Sequence, residues 1–244
     1  MQLEIIGSGS QGNSYLLRND TDVLLIELGV QFKRIKKALD YDLSKINGAL
    51  VSHIHGDHAK AIKDAIECGI NVYSGADTFK ETGLTSHRFK IVEPKKPYQV
   101  GSFKIMPFEL RHDVPCLGFL IKHPECGKVV FITDTFYSPW RFAGVNNWII
   151  EANYSQEIID GKQTYDDVNM MLRNRVMSSH LSIENCLDLL RKNNLTQTNN
   201  IVLTHLSDRN SDEKKFKQLT ENQTGKTVHV ARTGLKIDLN LRPF

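Results

Sequence analysis

The sequence of 244 residues lacks any apolar run that approaches the roughly 20 residues needed to cross a bilayer, so we expect no membrane partner. It has only four cysteines, which lie far apart and form no CxxC pair. No signal peptide is visible at the N-terminus. We therefore expect free thiols in a reducing cytoplasm, packed as small buried hydrophobic residues.

The sequence also lacks a strong charge imbalance. Its 31 Lys and Arg residues against 28 Asp and Glu residues give a formal net charge of +3, which is too small to imply a nucleic-acid partner by itself. There are no internal repeats, no low-complexity segments and no clear linker. The length fits one large α/β unit, so we expect residues 1–244 to form a single domain.

Histidine, in contrast, is concentrated in one segment, Val51-Ser-His-Ile-His-Gly-Asp-His58. Four potential metal ligands lie within six residues: His53, His55, Asp57 and His58. The apolar run 48–51 before them is typical of a buried strand, and residues 59–68 after them have helical composition. The segment is therefore predicted to be a strand-to-helix loop at the edge of a sheet, where α/β folds keep their sites.

The spacing within this segment favours two metals. In an extended chain His53 and His55 point the same way and can share one ion. Asp57 and His58 follow the turn and can reach a second ion. Imidazole together with carboxylate suits zinc, and also manganese or iron. The alternative, a polar loop that happens to be rich in histidine, gives no packing reason for this spacing.

Three later residues, His112, Asp134 and His205, each follow a predicted strand. Each is weak evidence alone, because a lone loop histidine is usually a surface residue and an aspartate after a strand is often a helix cap. With the first segment they complete a two-metal set, in which Asp134 bridges because a carboxylate has two oxygens. The first site would be His53, His55 and His112, and the second Asp57, His58 and His205.

Two further segments have both a simple and a functional interpretation. The glycine-rich stretch 7–14 can present backbone N–H groups to an anion, but it has no P-loop lysine and is more simply a flexible hairpin connection. Residues 31–39 are predicted to be a surface helix with a basic face, which is usually just solvated and alternatively contacts nucleic acid. The cations of that face are Lys33, Arg34, Lys36 and Lys37.

The order of elements indicates the fold class. Predicted strands followed by helices occur in two successive rounds, with helices at 31–39, 59–68, 75–81, 164–175, 182–192 and 212–219. Such a pattern is typical of an α/β protein whose helices pack outside two sheets.

The HxHxDH segment, followed by His, Asp and His at the ends of later strands, resembles the metallo-β-lactamase fold superfamily. The resemblance implies a four-layer αββα sandwich with two metals at its edge, divided among the ligands as above. One residue departs from the pattern: Glu27 stands where the superfamily usually has an aspartate that orients a ligand. Glu27 either orients the ligand in the same way with its longer side chain, or it leaves the second metal more weakly bound.

Other segments resemble one branch of the superfamily. Glu151-Ala-Asn153 and Ser179-His-Leu-Ser182 are similar to its phosphodiesterases and nucleases, including the tRNA 3′-processing endonucleases. With the glycine-rich stretch and His112-Asp-Val-Pro115 they look most like the YycJ/WalJ-type exonucleases, although Tyr154-Ser155 replaces that branch's His-Asp.

The resemblance to this branch implies a catalytic set of Asp57, His180 and Glu151. In this set His180 is the acid near the leaving group, and Glu151 orients it. The alternative for His180 is a helix-capping or core histidine.

The function expected from the resemblance is a dinuclear metal-dependent phosphodiesterase. It would hydrolyse nucleic acid with a metal-activated water, using Zn²⁺ or, alternatively, Mn²⁺. DNA is favoured over RNA as the substrate, with exonuclease action. Three alternatives remain open: a glyoxalase II-like or other hydrolase of a small ester, thioester or lactam; a phosphodiesterase for a nucleotide or cyclic phosphodiester; and a metal-stabilised binding protein without turnover, whose site would have no open coordination position.

Overall fold

The structure, a computed structural model, describes residues 1–161 and 167–241. The strands are β1 (Gln2–Gly7), β2 (Ser14–Arg18), β3 (Val23–Ile26), β4 (Ile46–Leu50), β5 (Val72–Ser74), β6 (Phe89–Ile91), β7 (Tyr98–Val100), β8 (Phe103–Leu110), β9 (Cys116–His123), β10 (Gly127–Ile132), β11 (Asn147–Glu151), β12 (Asn200–Thr204), β13 (Thr227–Val230) and β14 (Lys236–Asp238). The helices are α1 (Phe32–Ala38), α2 (Gly56–Ala59), α3 (Ile62–Glu67), α4 (Ala76–Thr82), α5 (Gln156–Asp160), α6 (Asp167–Ser179), α7 (Ile183–Arg191) and α8 (Glu213–Thr224).

The strands form two mixed sheets. The first sheet has the order β14-β1-β2-β3-β4-β5-β6, and the second has the order β13-β12-β11-β10-β9-β8-β7. Strands β3 to β6 run parallel in the first sheet, and β10 to β13 run parallel in the second. Ligand sites in such sheets lie beyond the carboxyl ends of the parallel strands.

The core between the sheets follows from the alternation of side chains along each strand. On β3, Leu24 and Ile26 belong to the inter-sheet cluster, whereas Leu25 between them faces the helices. The two sheets meet in aromatic contacts such as Tyr15 against Phe131, whose ring centroids are 5.9 Å apart. Both faces of each sheet are thus apolar, and each sheet needs a cover on its outer side.

Helices supply that cover. Phe32 and Ile35 of α1 and Ile62 of α3 pack on the outer face of the first sheet. On the second sheet the same role is taken by α7 and α8, through residues such as Leu190 and Phe216. The predicted four-layer αββα arrangement is therefore confirmed.

The helix predictions hold with local differences. The helix predicted for 59–68 is two short helices, α2 and α3, and α2 begins already at Gly56. Of the helix predicted for 164–175, residues 164–166 lie outside the described residues, and α6 continues to Ser179. Strand β7 and helix α5 were not predicted; each is only three to five residues long.

All four cysteines are free, and three of them are buried as expected. The expectation was wrong for Cys68, which is exposed at the end of α3. Among the helices within 1–161 and 167–241, none combines the length and apolar character that crossing a bilayer would require.

Candidate dinuclear metal site

The predicted ligands meet at one edge of the sandwich, where strands of both sheets end. The histidine segment follows β4 of the first sheet. From the second sheet, His112 follows β8, Asp134 follows β10 and His205 follows β12. The structure thus brings together all seven residues that the sequence nominated as ligands, in groups whose ligand atoms lie within 4.8 Å of one another.

The first group contains three imidazoles and one carboxylate. His55 Nδ1 lies 3.1 Å from His53 Nε2 and 3.1 Å from His112 Nε2. The Oδ2 atom of Asp134 lies 3.7 Å from both of those Nε2 atoms. Three ring nitrogens and one carboxylate oxygen therefore converge on a single point.

The second group has two imidazoles and two carboxylates. Asp57 Oδ2 lies 3.3 Å from His58 Nε2 and 3.4 Å from His205 Nε2. Asp134 Oδ1 lies 3.4 Å from His58 Nε2, and 2.7 Å from the other ring nitrogen of His205, Nδ1. Asp134 therefore turns one oxygen toward each group, as a bridging carboxylate must.

These separations match a bound divalent cation. Zinc–nitrogen distances of about 2.0–2.1 Å at tetrahedral angles place neighbouring ligand atoms about 3.3 Å apart. The separations within the groups are 3.1–3.7 Å and scatter around that value. The exception is the shorter contact of 2.7 Å between His205 Nδ1 and Asp134 Oδ1. A direct hydrogen-bond network does not explain three ring nitrogens facing one another, whereas a central cation does. The cluster is suited to divalent metals.

The outer ring atoms hold the first group in place. His112 Nδ1 donates to the carbonyl oxygen of Ser179 at 2.8 Å, which leaves its Nε2 free to face the group. His53 Nδ1 lies 2.8 Å from the hydroxyl of Ser52. Such contacts fix both the tautomer and the orientation of a metal-binding imidazole.

The surroundings of the second group favour protonated imidazoles. Burial lowers the pKa of His58, but the charges of Asp134 and Glu27 outweigh burial and raise that pKa well above its usual value. Burial raises the pKa of Asp134, yet the neighbouring imidazoliums of His205 and His58 bring it well below its usual range. Binding a cation must therefore displace protons from these histidines.

Glu27, the departure from the superfamily pattern, lies directly behind the second group. It is fully buried, with its backbone in the left-handed region at φ 65°. Its Oε2 atom is 3.5 Å from His58 Nδ1, and the N–H of Ser52 donates to its carboxylate at 3.3 Å. The longer arm thus places a carboxylate close behind His58, at a distance where the two charges attract each other without a hydrogen bond between them.

We expect Glu27→Asp to weaken the second metal. Removing one methylene withdraws the carboxylate by about 1.5 Å, and loss of an orienting partner typically costs roughly 10–100-fold in metal affinity. Metal titration followed by elemental analysis measures the effect. Glu4→Asp, at a buried carboxylate that pairs with Arg18, is the matched control. Higher metal occupancy in Glu27→Asp would instead show that Glu27 loosens the site.

His180 and Glu151 form a pair beside both groups. His180 Nδ1 lies 2.7 Å from Glu151 Oε1, and the N–H groups of Leu181 and Thr135 donate to Oε2 at 3.0 and 3.2 Å. Burial raises the pKa of Glu151, but the charge and hydrogen bond of His180 bring it below its usual value. In turn, burial lowers the pKa of His180, but the Glu151 carboxylate outweighs it and raises that pKa.

The geometry argues against the simpler interpretations of His180. Its side chain is 21% exposed, so it is not a core residue. The cap of α7 is Ser182, whose hydroxyl accepts from the N–H of Asn185 at 3.1 Å. His180 is therefore free to face the cavity described next.

A cavity of about 460 Å³ lies over the clusters. Its lining comprises Ser10, His55, Gly56, Asp57, His112, Asp113, Asp134, Asn153, Arg175, Val176, Ser179, His180, His205 and Ser207. Arg175 stands at the rim with a nitrogen 3.8 Å from Asp113 Oδ2. The clusters are thus open to a ligand, which is contrary to the closed site that a purely structural metal would have.

Sequence reasoning missed several residues of this site. The glycine-rich stretch is more than a hairpin connection: Asn13 Nδ2 lies 3.2 Å from His58 Nε2, and the hydroxyl of Ser8 accepts from the N–H of His205 at 2.9 Å. Asp113 Oδ1 lies 3.0 Å from His112 Nε2. Asn153 donates to the carbonyl of His205 at 2.8 Å. The only available signal was a polar residue inside a loop that borders a site.

Residues 7–91 match the sequence profile of the metallo-beta-lactamase superfamily. Exodeoxyribonuclease WalJ of Streptococcus pneumoniae is 27% identical, over 97% of this chain and 91% of that protein. Ribonuclease Z of Methanococcus aeolicus is 26% identical over 51% of this chain and 48% of that protein. Among solved structures, the metallo-beta-lactamase fold protein YhfI of Bacillus subtilis superposes with a TM-score of 0.71 at 18% identity, covering 97% of this chain and 99% of that one.

The cluster at the sandwich edge and these matches indicate a metal-dependent hydrolase, and residues 7–91 and the fold are similar to those of the metallo-β-lactamase superfamily. Among the relatives, the chain is similar over most of its length to the exodeoxyribonuclease WalJ.

Proposed function

We propose that this protein is a dinuclear metal-dependent phosphodiesterase that acts on nucleic acid, with DNA as the favoured substrate and exonuclease action. The observation that carries the proposal is the His180–Glu151 pair, at 2.7 Å, beside two ligand groups that share Asp134. We further propose that the chain works as one domain, because each ligand group draws residues from both sheets.

The ligand assignment follows the two groups. His53, His55 and His112 would hold one ion, and Asp57, His58 and His205 the other, with Asp134 between them. Two divalent ions in such a site, Zn²⁺ by the ligand types and Mn²⁺ as the alternative, supply a water acidic enough to attack and neutralise charge on a phosphodiester.

In this proposal, His180 donates a proton to the leaving group. Its Nδ1 is engaged by Glu151, so Nε2 is the atom available to donate a proton to the departing sugar oxygen. The buried Glu151 carboxylate favours the imidazolium form that such an acid requires. Arg175 at the cavity rim offers the fork of donors that suits a phosphate oxygen.

The choice of nucleic acid rests on the relatives. The name of WalJ specifies deoxyribonucleic acid, and that relative is matched along most of its length. Ribonuclease Z is matched along about half of its length, and its name makes RNA the second candidate substrate. A nucleotide or cyclic phosphodiester would also fit a cavity of about 460 Å³.

The test is hydrolysis of bis(p-nitrophenyl) phosphate and of end-labelled single- and double-stranded DNA and RNA, with added Zn²⁺ or Mn²⁺. We expect metal-dependent cleavage of DNA, with mononucleotides released from one end. A His53→Ala/His55→Ala variant, which removes two ligands of the first group, should lose both bound metal and cleavage.

Two results would contradict the proposal. Metal-loaded protein that cleaves none of these phosphodiesters would redirect the search to small esters and thioesters. Cleavage that survives in the His53→Ala/His55→Ala variant at full rate would show that the observed activity does not come from this site.

A further inference from the structure

Helix α1 concentrates positive charge on its outer side. Four of its seven residues are cationic, at positions 33, 34, 36 and 37, and none is acidic. Phe32 and Ile35 anchor the opposite side in the core. We call the cationic side the α1 basic face, consisting of Lys33, Arg34, Lys36 and Lys37.

The α1 basic face is not neutralised by the protein. None of its four cations forms an ion pair with a carboxylate in the described part of the chain; Arg34 instead donates to the carbonyl of Ile6 and, at 3.4 Å, to the hydroxyl of Thr233. Two of the three lysines of α8 differ, because Lys215 pairs with Glu157 and Lys217 with Glu221. Within the described residues, the face therefore stays available to an anionic partner.

Part of the arrangement is unfavourable for the helix itself. Lys33 and Arg34 lie in the first turn, where the helix dipole disfavours positive charge, whereas Lys36 and Lys37 lie in the last turn, where the dipole favours it. Lys33 and Lys37 are four residues apart, and like charges at that spacing destabilise a helix. A bound polyanion would reverse the sign of both effects.

The position of α1 ties this face to the cavity. Gly29, three residues before the helix, packs so closely on Asp57 that a Cβ atom there would lie 1.6 Å from the Asp57 carbonyl oxygen. Arg34 bonds to Ile6 near the end of β1, immediately before the glycine-rich loop whose Ser10 lines the cavity. The α1 basic face therefore begins beside the rim of the site.

The cavity alone offers little to hold a strand. Among its described lining residues, Arg175 is the one arginine or lysine. Nucleic-acid binding without base recognition depends on several lysine or arginine contacts to phosphates. Some other surface near the rim must supply them if the substrate is a strand.

We propose that the α1 basic face binds backbone phosphates of the nucleic-acid strand outside the bond that is cleaved. This inference rests on the proposed function. The face is a substrate-positioning surface, and it acts on the binding of long strands, with no part in the chemistry at the metals.

The test compares Lys33→Glu/Lys37→Glu with the unaltered protein on three substrates: bis(p-nitrophenyl) phosphate, a dinucleotide and a long single strand. We expect KM for the long strand to rise about tenfold or more at low salt, with kcat unchanged and turnover of the two small substrates unaffected. Each phosphate contact to a single strand contributes about 0.7 to the slope of log affinity against log salt. The slope for the long strand should therefore fall by about 1.4 in the variant.

The matched control is Lys104→Glu/Lys122→Glu. These two lysines are exposed cross-strand partners on β8 and β9, at the end of the second sheet opposite the site. The control makes the same change in net charge and should leave KM for the long strand close to the unaltered value. The variant Lys33→Gln/Lys37→Gln, which removes the two positive charges without adding negative ones, should give an intermediate rise in KM for the long strand. Metal content and circular dichroism check that each variant is folded.

The outcomes separate this inference from the proposed function. If KM for the long strand is unchanged and phosphodiester turnover is intact, the α1 basic face does not bind the strand, and the proposed function still holds. Equal effects in the variant and in the control would also contradict binding by this face. Fluorescence anisotropy of a labelled strand needs no turnover, so it tests the face even if no substrate is cleaved. Binding of anionic lipid vesicles that is lost in Lys33→Glu/Lys37→Glu, while strand binding is kept, would assign the face to a membrane instead.

Discussion

Asp134→Asn is expected to release metal from both groups and to lower phosphodiester hydrolysis about a thousandfold or more. The substitution keeps the shape of the side chain but removes the charge that its two oxygens present to the two sets of ligands. Metal ions contribute several kcal/mol of charge stabilisation in such reactions, and each 1.36 kcal/mol is a factor of ten in rate. Elemental analysis of the purified variant and initial rates on bis(p-nitrophenyl) phosphate give the two readouts.

Asp188→Asn is the control for this prediction, because Asp188 is a carboxylate of α7 that pairs only with Arg191 and Lys192 among the described ion pairs. It should keep full metal content and rate. Two equivalents of metal retained by Asp134→Asn would show that the carboxylate does not bridge. Loss of one equivalent alone would place Asp134 in a single group.

His180→Ala is expected to lower the rate on nucleic acid by roughly 10²–10⁴-fold, the usual contribution of a general acid, with metal content unchanged. A sugar oxygen is a poor leaving group and needs the proton, whereas a nitrophenolate leaves readily without it. The loss on bis(p-nitrophenyl) phosphate should therefore be much smaller. The ratio of the two losses is the measurement.

A merely structural role for His180 would reduce both rates equally, or would lower the metal content as well. His87→Ala, at an exposed histidine outside the cavity, should change neither rate. The Glu151→Gln variant should resemble His180→Ala in its dependence on the leaving group, because the neutral amide no longer favours the imidazolium form.

The ligand set could be read from the sequence because its residues are chemically distinctive and stand at strand ends. An apolar run that stops at His53 or at His205 predicts both the strand and the place of the ligand. The order of strands and helices predicted helices packed outside two sheets, and the resemblance to a superfamily specified the four-layer sandwich. The division of the ligands into two groups was first suggested by their spacing, and the resemblance implied the same division.

The sequence did not reveal residues whose role depends on contacts with residues that are distant along the chain. Asn13 reaches Asp57 across 44 positions, and nothing in a glycine-rich stretch specifies that partner. Asp113 was passed over because its neighbour His112 carried the recognisable pattern. The break between α2 and α3 was also unpredictable, because the helical composition of 59–68 continues through it.

One ligand residue and the carboxylate behind the second group have an unusual backbone for their type. His205, like Glu27, lies in the left-handed region, with φ 53°. Non-glycine residues there cost of order 1–3 kcal/mol and persist where the surroundings enforce them. No local preference of histidine or glutamate predicts this geometry, which belongs to the assembled edge of the sandwich.

Because each ligand group takes residues from both sheets, each bound ion would also act as a cross-link between the two halves of the sandwich. The free energy of unfolding would then depend on the concentration of free metal, rising by about 2.7 kcal/mol when metal is at one hundred times its dissociation constant. Chelation would loosen the edge where the substrate enters before it loosened the buried core. In this protein the bound metal ions would thus also stabilise the folded state.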